Sequence, residues 1–244
     1  MMQTGSNAAM PQPPLWQAQL PGRPLSGLTV LVVEDSRLAS EAVRLLCLRS
    51  GARIRRADCL RTAMRHLQTY RPGVVIVDMG LPDGCGSDLI GQIRALGPHA
   101  PVVLAISGDP QMRAAALTAG AAGFLDKPVE SLALFQQAVL AALPADAAPA
   151  RLRALPADII PPDRGALHDD LARVAQMLAS ASDGTAIDYI ARFLAGVARS
   201  AHDMPLAEAA AALARDHHAG RGVATDLTRI SGLVQDRLAA AGCA

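Results

Sequence analysis

The stretch GVVIV, residues 73–77, establishes the architecture of the chain because it is apolar and mostly β-branched. Such a stretch is typical of a strand buried on both faces, as in a parallel sheet that is covered by helices. TVLVV at 29–33 and PVVLAI at 101–106 have the same character. ARIRRA at 52–57 and GFLD at 123–126 are weaker candidates. The sequence therefore predicts five strands.

Amphipathic stretches lie between these strands and after the last one. They are SRLASEAVRLLCLRSG (36–51), CLRTAMRHLQTY (59–70), GSDLIGQIRALG (86–97), DPQMRAAALTAG (109–120) and SLALFQQAVLAAL (131–143). Five β-α repeats within residues 25–143 predict an α/β domain with a five-stranded, doubly wound parallel sheet and helices on both faces. Ligands of such sheets bind beyond the C-terminal ends of the strands.

Polar side chains follow the predicted strands at that edge. The first strand runs into Glu34 and Asp35, the third into Asp78, the fourth into Ser107, and Lys127 follows the fifth. Clustered carboxylates repel one another unless a cation shares them, and an all-oxygen ligand set suits Mg²⁺. The edge therefore predicts a magnesium-assisted phosphoryl site. Taken without the hydroxyl and the ammonium, the acidic residues have an alternative role, which is to cap the helices that follow them.

Lys127 is the only lysine among the 23 basic residues of the chain. In phosphoryl transfer the protein mainly positions groups and neutralises charge. A lysine ammonium is a compact charge on a flexible stem, whereas the broad fork of arginine would crowd a small pocket of carboxylates and phosphate. We therefore expect Lys127 to point into the site.

With these residues in place, the sequence resembles the receiver domain of two-component response regulators over residues 28–143. The resemblance rests on VVEDS, VIVDMGLPDGCG, AISG and GFLDKP, which occur in the correct order and spacing. It implies a flavodoxin-like fold in which Asp78 accepts a phosphoryl group from a histidine kinase or a phosphotransfer protein. It also implies a phosphoacceptor that is not an enzyme, although it assists its own phosphorylation and dephosphorylation.

The resemblance implies a set of metal ligands as well. Asp35, Asp78 and the main-chain carbonyl of Met79 would hold Mg²⁺. Glu34 would act mostly through metal-bound water.

Other residues would bind the phosphoryl group or respond to it. The resemblance implies that Ser107 and Lys127 hold phosphoryl oxygens and that the Lys127–Pro128 bond is cis. Phe124 would swing inward as Ser107 moves. An alternative is that Phe124 is an ordinary core residue.

Proline and glycine divide the rest of the chain. Residues 1–24 are rich in proline and glutamine, lack periodicity and predict a disordered tail, in which Trp16 is a candidate docking anchor. Residues 144–164 carry five prolines and predict a semi-rigid linker. Residues 165–244 have apolar residues in steps of three and four, which predict four amphipathic helices packed as an antiparallel four-helix bundle.

Part of this helical segment, YIARFLAGVARSAHDMPLAEAAAAL from residue 189, resembles the core of a histidine phosphotransfer (HPt) domain. Arg192 stands where that family has its phosphorylated histidine, Ala195 stands where it has lysine, and Gly196 keeps its glycine. These three residues share one helix face and would form a shallow exterior patch. The reactive positions are lost, so the resemblance implies a degenerate HPt domain that docks but cannot carry phosphate. A generic four-helix bundle is the alternative.

Charge and composition limit the class of partner. The formal charge of the chain is +1, and residues 165–244 carry 7 arginines against 9 acidic residues, a net charge of −2. Nucleic acid is therefore an unexpected partner. No stretch approaches the length of a membrane span, and the four cysteines show no metal-binding spacing, which favours a reduced, cytoplasmic protein.

The sequence predicts a response regulator of a phosphorelay. Phosphorylation of Asp78 would change docking or dimerisation through the helical segment, whose partner would be a receiver or kinase of the same or another protein, or a second copy of the chain. One alternative is a transcriptional regulator whose helical segment binds nucleic acid. Another is a relay protein in which His202, His217 or His218 carries phosphate.

Overall fold

The computed structural model describes three ranges of the chain: 23–144, 158–180 and 184–241. The predicted tail over residues 1–24, including Trp16, lies almost entirely outside these ranges. Most of the predicted linker, residues 144–164, lies outside them as well.

The strands of the described ranges form one parallel sheet and one short hairpin. They are β1 (Thr29–Val33), β2 (Arg53–Ala57), β3 (Val74–Asp78), β4 (Gly80–Leu81), β5 (Gly84–Cys85), β6 (Val102–Ser107) and β7 (Gly123–Asp126). The parallel sheet has the order β2-β1-β3-β6-β7, and β4 pairs with β5 in an antiparallel hairpin. All five predicted strands are present, whereas the sequence did not predict the hairpin.

Helices cover both faces of the sheet. They are α1 (Arg37–Arg49), α2 (Leu60–Thr69), α3 (Gly86–Arg94), α4 (Met112–Ala119) and α5 (Leu132–Ala142), and Gly97–His99 adds a turn of 3₁₀ helix. The predicted five-stranded parallel sheet with flanking helices is confirmed.

Strand β3 shows why the apolar stretches form central strands, since all its residues are buried. Val74 and Ile76 face a core that includes α1 and α5, and Val75 and Val77 face a second core that includes α2, α3 and α4. Alternate side chains thus enter opposite cores, as a strand with helices on both sides requires.

From Arg164 onward the described chain is almost entirely helical. It contains α6 (Arg164–Ser180), α7 (Gly184–Ser200), α8 (Met204–His218) and α9 (Ala224–Ala241), which together are called the helical region below. Capping and turn residues separate these helices: the Asp203 carboxylate accepts the Leu206 amide at 3.1 Å at the start of α8, and Gly220 adopts a φ of 66° after its end. The four helices share one apolar core.

The end of the predicted linker packs against the α/β part of the chain. Ile159 forms an isolated antiparallel bridge with Ser131, and the Ile160 amide donates to the Glu130 carbonyl at 3.0 Å. Ile160 is buried in the same core as α1 and α5. These contacts fix the point from which α6 begins.

Candidate functional site

The predicted strand-end residues converge on one edge of the sheet. Glu34, Asp35, Asp78 and Ser107 are buried, and the Lys127 side chain is only 7% exposed. Parallel pairing of β1, β3, β6 and β7 brings their C-terminal ends together. The sheet therefore places these side chains around one pocket, as the sequence predicts.

The Lys127 ammonium lies between two carboxylates. Its Nζ is 2.6 Å from Glu34 Oε2 and 3.0 Å from Asp78 Oδ2. Burial alone would lower the pKa of Lys127, but attraction to Asp78 and Glu34 raises it above its ordinary value. Lys127 is therefore a fixed positive charge against the predicted phosphoacceptor. The Lys127–Pro128 bond is cis, as the resemblance implies.

The site holds three buried carboxylates, those of Glu34, Asp35 and Asp78, and one buried ammonium group, that of Lys127. Burial, followed by repulsion from Asp78, raises the pKa of Glu34 to about 8 although Lys127 opposes the rise. Burial likewise raises the pKa of Asp35 to about 6. One oxygen each from Glu34, Asp35 and Asp78 lie within 4.8 Å of one another. This compact, all-oxygen, charge-rich set fits a divalent cation such as Mg²⁺.

The third implied metal ligand has other partners. The Met79 carbonyl accepts a hydrogen bond from the Gly86 amide at 3.2 Å and from Cys85 Sγ at 3.6 Å. Its role as a ligand stays a prediction.

Gly86 is a structural requirement of the site that was not among the predicted site residues. A Cβ at this position would lie 2.2 Å from the carbonyl oxygen of Asp78, so only glycine permits this approach of α3 to β3. Gly86 ends the motif VIVDMGLPDGCG, and its place in that motif was the available signal.

Ser107 and Phe124 occupy neighbouring strands beside the pocket. The Ser107 hydroxyl oxygen accepts the Asp109 amide at 3.1 Å, and the Ser107 carbonyl accepts the Lys127 amide at 2.8 Å. Phe124 is buried, and the guanidinium of Arg113 lies 4.6 Å from its ring centroid. This inward position agrees with a core residue, and the predicted movement of Phe124 stays a prediction.

The helical region forms the opposite wall of the pocket. A cavity of about 600 Å³ is lined by the strand-end residues on one side and by Arg192, Ala195, Gly196 and Arg199 of α7 on the other. Arg192, Ala195 and Gly196 therefore lie on one surface, and their role as a docking patch stays a prediction. This surface faces the predicted phosphoacceptor of its own chain.

Three residues of the helical region that the sequence did not indicate also reach the site. The Tyr189 hydroxyl donates to Asp35 Oδ2, and Arg173 donates from Nη1 to the Asp35 carbonyl at 2.9 Å. Asp170 accepts hydrogen bonds from Ser36 and from the first turn of α1. A tyrosine beside the predicted patch was the only available signal.

The three candidate relay histidines lie elsewhere. His202 follows the end of α7 in a turn with a φ of 56°, and its Nε2 is 2.8 Å from Glu130 Oε1. His217 and His218 lie beside Asp188, at 3.5 and 3.9 Å. In the part of the chain that the structure describes, none of the three lines the cavity that contains Asp78.

Comparison with known proteins agrees with this geometry. Residues 30–139 match the family model of the response regulator receiver domain. These residues are a response regulator receiver domain. The match does not extend into the helical region, and among the described residues no helix has the length and apolarity to cross a membrane.

Curated relatives share the receiver domain. The KDP operon transcriptional regulatory protein KdpE of Escherichia coli is 33% identical over 99 residues, which are 41% of this chain and 44% of KdpE. The probable transcriptional regulatory protein TcrX of Mycobacterium tuberculosis is 34% identical over 116 residues, which are 46% of this chain and 50% of TcrX. This chain thus spans about half the length of the curated relatives it matches.

Solved structures resemble the receiver domain as well. A putative response regulator from Chloroflexus aurantiacus is 28% identical and covers 46% of this chain and 91% of its own, with a TM-score of 0.41. The chemotaxis protein CheY4 of Vibrio cholerae is 23% identical and covers 48% of this chain and 98% of its own, with a TM-score of 0.44.

Proposed function

We propose that this protein is a response regulator that accepts a phosphoryl group on Asp78 from a phosphohistidine of a histidine kinase or phosphotransfer protein. The supporting observation is the buried contact between Lys127 Nζ and Asp78 Oδ2 at 3.0 Å, beside two further carboxylates. The protein is a phosphoacceptor in this proposal, and the donor histidine belongs to the partner.

The transfer exchanges one bond to phosphorus for another. A carboxylate oxygen of Asp78 attacks phosphorus, an acyl phosphate P–O bond forms and the P–N bond to the donor imidazole breaks. The imidazole leaves with the electron pair of that bond and takes up a proton. The Lys127 ammonium, which first contacts the Asp78 carboxylate, then contacts the phosphoryl oxygens and neutralises their negative charge. The Ser107 hydroxyl donates a hydrogen bond to one of these oxygens.

Magnesium would complete the charge balance. Glu34, Asp35 and Asp78 are the residues that would hold it, Glu34 mainly through water. Bound Mg²⁺ would neutralise charge that develops on the phosphoryl oxygens. Without Mg²⁺, Lys127 is the cation that the Glu34 and Asp78 carboxylates share.

The helical region is the proposed output. We infer that it is a four-helix bundle of degenerate phosphotransfer type, which uses the patch of Arg192, Ala195 and Gly196 for docking, and that phosphorylation changes this docking or dimerisation. The position of the patch across the cavity from Asp78 supports a link between them. A histidine at position 192 would be required for relay chemistry at this point, and arginine cannot replace it.

A second candidate output is transcriptional regulation through nucleic-acid binding, which the names of KdpE and TcrX favour. Those matches cover about half of the length of each relative. Duplex DNA binding that weakens steeply with salt would support this candidate. Lack of binding at low salt would exclude it.

Phosphorylation with a small donor tests the proposal. Wild-type protein and Asp78→Asn are incubated with acetyl phosphate and Mg²⁺, then measured by intact mass and by light scattering. We expect the wild type alone to gain the mass of one phosphoryl group. Equal gain in both proteins, or none in either, would refute the acceptor role, and a change in scattering confined to the wild type would assign the output to self-association.

A further inference from the structure

The helical region covers the edge of the sheet that carries the phosphoacceptor. Helices α6 and α7 both pack against α1, and α7 also approaches β4. Arg192 and Arg199 line the cavity from the side of α7, opposite Asp78 and Lys127. Any protein that presents a phosphohistidine to Asp78 must enter the space that α7 occupies.

The first anchor of this cover is Asp170 of α6. Its carboxylate accepts the Ser36 hydroxyl at 2.7 Å, the Arg37 amide at 2.9 Å and the Leu38 amide at 3.0 Å. Asp170 is 1% exposed, and Leu38 is buried in the apolar core of the helical region. A buried carboxylate at the N-terminus of α1 is favourable because the free amides and the helix dipole both attract negative charge.

The second anchor holds Asp35, one of the predicted metal ligands. The Tyr189 hydroxyl donates to Asp35 Oδ2, and Arg173 Nη2 lies 3.6 Å from the same oxygen. Arg173 also donates to the Tyr189 hydroxyl at 2.7 Å, and its guanidinium lies 4.8 Å from the ring centroid of Phe193. The helical region thus supplies Asp35 with a donor and a positive charge.

We propose that the helical region is an intramolecular cover of the acceptor site and that its docking competes with Mg²⁺ for Asp35. The proposal rests on the proposed function, because it takes Asp35 as a ligand of Mg²⁺. A dication at Asp35 neutralises the charge that Tyr189 and Arg173 now stabilise, and it repels the Arg173 guanidinium. Both effects weaken the second anchor.

Linkage makes the competition reciprocal. If Mg²⁺ weakens docking by some factor, docking weakens Mg²⁺ binding by the same factor. A variant that loosens the cover must therefore bind Mg²⁺ more tightly. The opposite relation would hold if Tyr189 merely oriented Asp35 as a ligand, since loss of the hydroxyl would then weaken Mg²⁺ binding.

Competition at Asp35 gives the cover a role in phosphoryl transfer. With Mg²⁺ absent, α7 stands where a protein donor must dock. As Mg²⁺ binds, the second anchor weakens and the patch with Arg192 leaves Asp78 accessible. The charge of Mg²⁺, which assists phosphoryl transfer, thus also helps the phosphohistidine donor to reach Asp78.

Titration calorimetry with MgCl₂ tests the proposal. We expect Tyr189→Phe to lower the Kd for Mg²⁺ about tenfold, equivalent to about 1.4 kcal/mol, relative to wild type. Tyr70→Phe, which removes the other tyrosine hydroxyl away from the site, is expected to leave the Kd unchanged. Asp170→Asn loosens the first anchor without touching Asp35 and is expected to lower the Kd as well, whereas its neighbour Asp169→Asn is not.

Hydrogen exchange follows the cover directly. Saturating Mg²⁺ is expected to speed exchange of the Arg37 and Leu38 amides at least about fivefold in wild type, because their acceptor is Asp170. Asp35→Asn is expected to show no such response. Equal or weaker Mg²⁺ affinity in Tyr189→Phe, or unchanged exchange, would overturn the competition alone. No Mg²⁺ binding in any variant would overturn it together with the proposed magnesium site.

Discussion

Replacement of Asp170 with alanine removes the contact by which the helical region holds the start of α1. The Ser36 hydroxyl and the Arg37 and Leu38 amides would lose their common acceptor. Because Asp170 is 1% exposed, water cannot take its place without a local opening of the interface. We expect a clear loss in the free energy of unfolding.

The size of this loss follows from the three hydrogen bonds. A hydrogen bond to a charged group contributes about 1.5–3 kcal/mol, so full additivity would give about 4.5–9 kcal/mol. One effect reduces this value. Burial raises the pKa of Asp170 because the buried carboxylate carries a desolvation cost, and alanine removes that cost. We expect Asp170→Ala to cost about 2–4 kcal/mol.

Urea denaturation followed by circular dichroism measures this cost. With a slope of about 3 kcal/mol/M, the midpoint should fall by about 1 M. Asp169→Ala is the matched control, because Asp169 is next in the chain and makes only an exposed ion pair with Arg37 at 3.3 Å. The control should stay within about 0.5 kcal/mol of wild type. If both variants lose the same small amount, Asp170 does not anchor the helical region.

Three further predictions concern the site and the helical region. Lys127→Gln should slow phosphorylation by acetyl phosphate about 100-fold, measured by intact mass, because it removes the buried cation beside the acceptor. Gly86→Ala should destabilise the protein by about 1–3 kcal/mol in urea, whereas Gly91→Ala in the same helix, with nothing near its Cβ, should not destabilise it. The ion pair with Arg237 at 2.6 Å lowers the pKa of Asp203, so the stability it adds is present above the unfolded pKa near 3.8 and is lost as pH falls through the lower, folded pKa. Urea midpoints between pH 6 and pH 2 should therefore fall less in Arg237→Gln than in wild type, and equal slopes would contradict this.

The sheet could be predicted from sequence because its signals are local. Apolar, β-branched stretches such as 73–77 have few other stable environments than a strand buried on both faces. The hairpin of β4 and β5 was missed because two-residue strands leave no periodicity to detect. The packing of Ile160 was missed because the proline content of residues 144–164 indicates the average character of that segment. It does not show that one apolar residue within the segment enters a core.

The site was predictable for the same topological reason. Parallel strands place their C-terminal ends at one edge of the sheet. The residues that follow them, including Glu34, Asp78 and Lys127, therefore converge there independently of the conformation of the loops. Asp170, Arg173 and Tyr189 had no comparable signal. They lie on helices whose polar faces are consistent with solvent exposure, and no period in the sequence reports how one domain is oriented on another.

The sequence did not show whether the predicted patch on α7 contacts the receiver of the same chain or a receiver in another protein. The structure shows the receiver of the same chain across the cavity. Two surfaces joined in one chain meet at an effective concentration on the order of millimolar, which a free partner rarely reaches. A second receiver or a kinase must therefore bind the patch far more tightly than the intramolecular contact does, or bind it after that contact has opened. Covalent connection thus favours the cover as the resting arrangement, and under the proposed competition Mg²⁺ would change it through the contacts that Tyr189 and Arg173 make with Asp35.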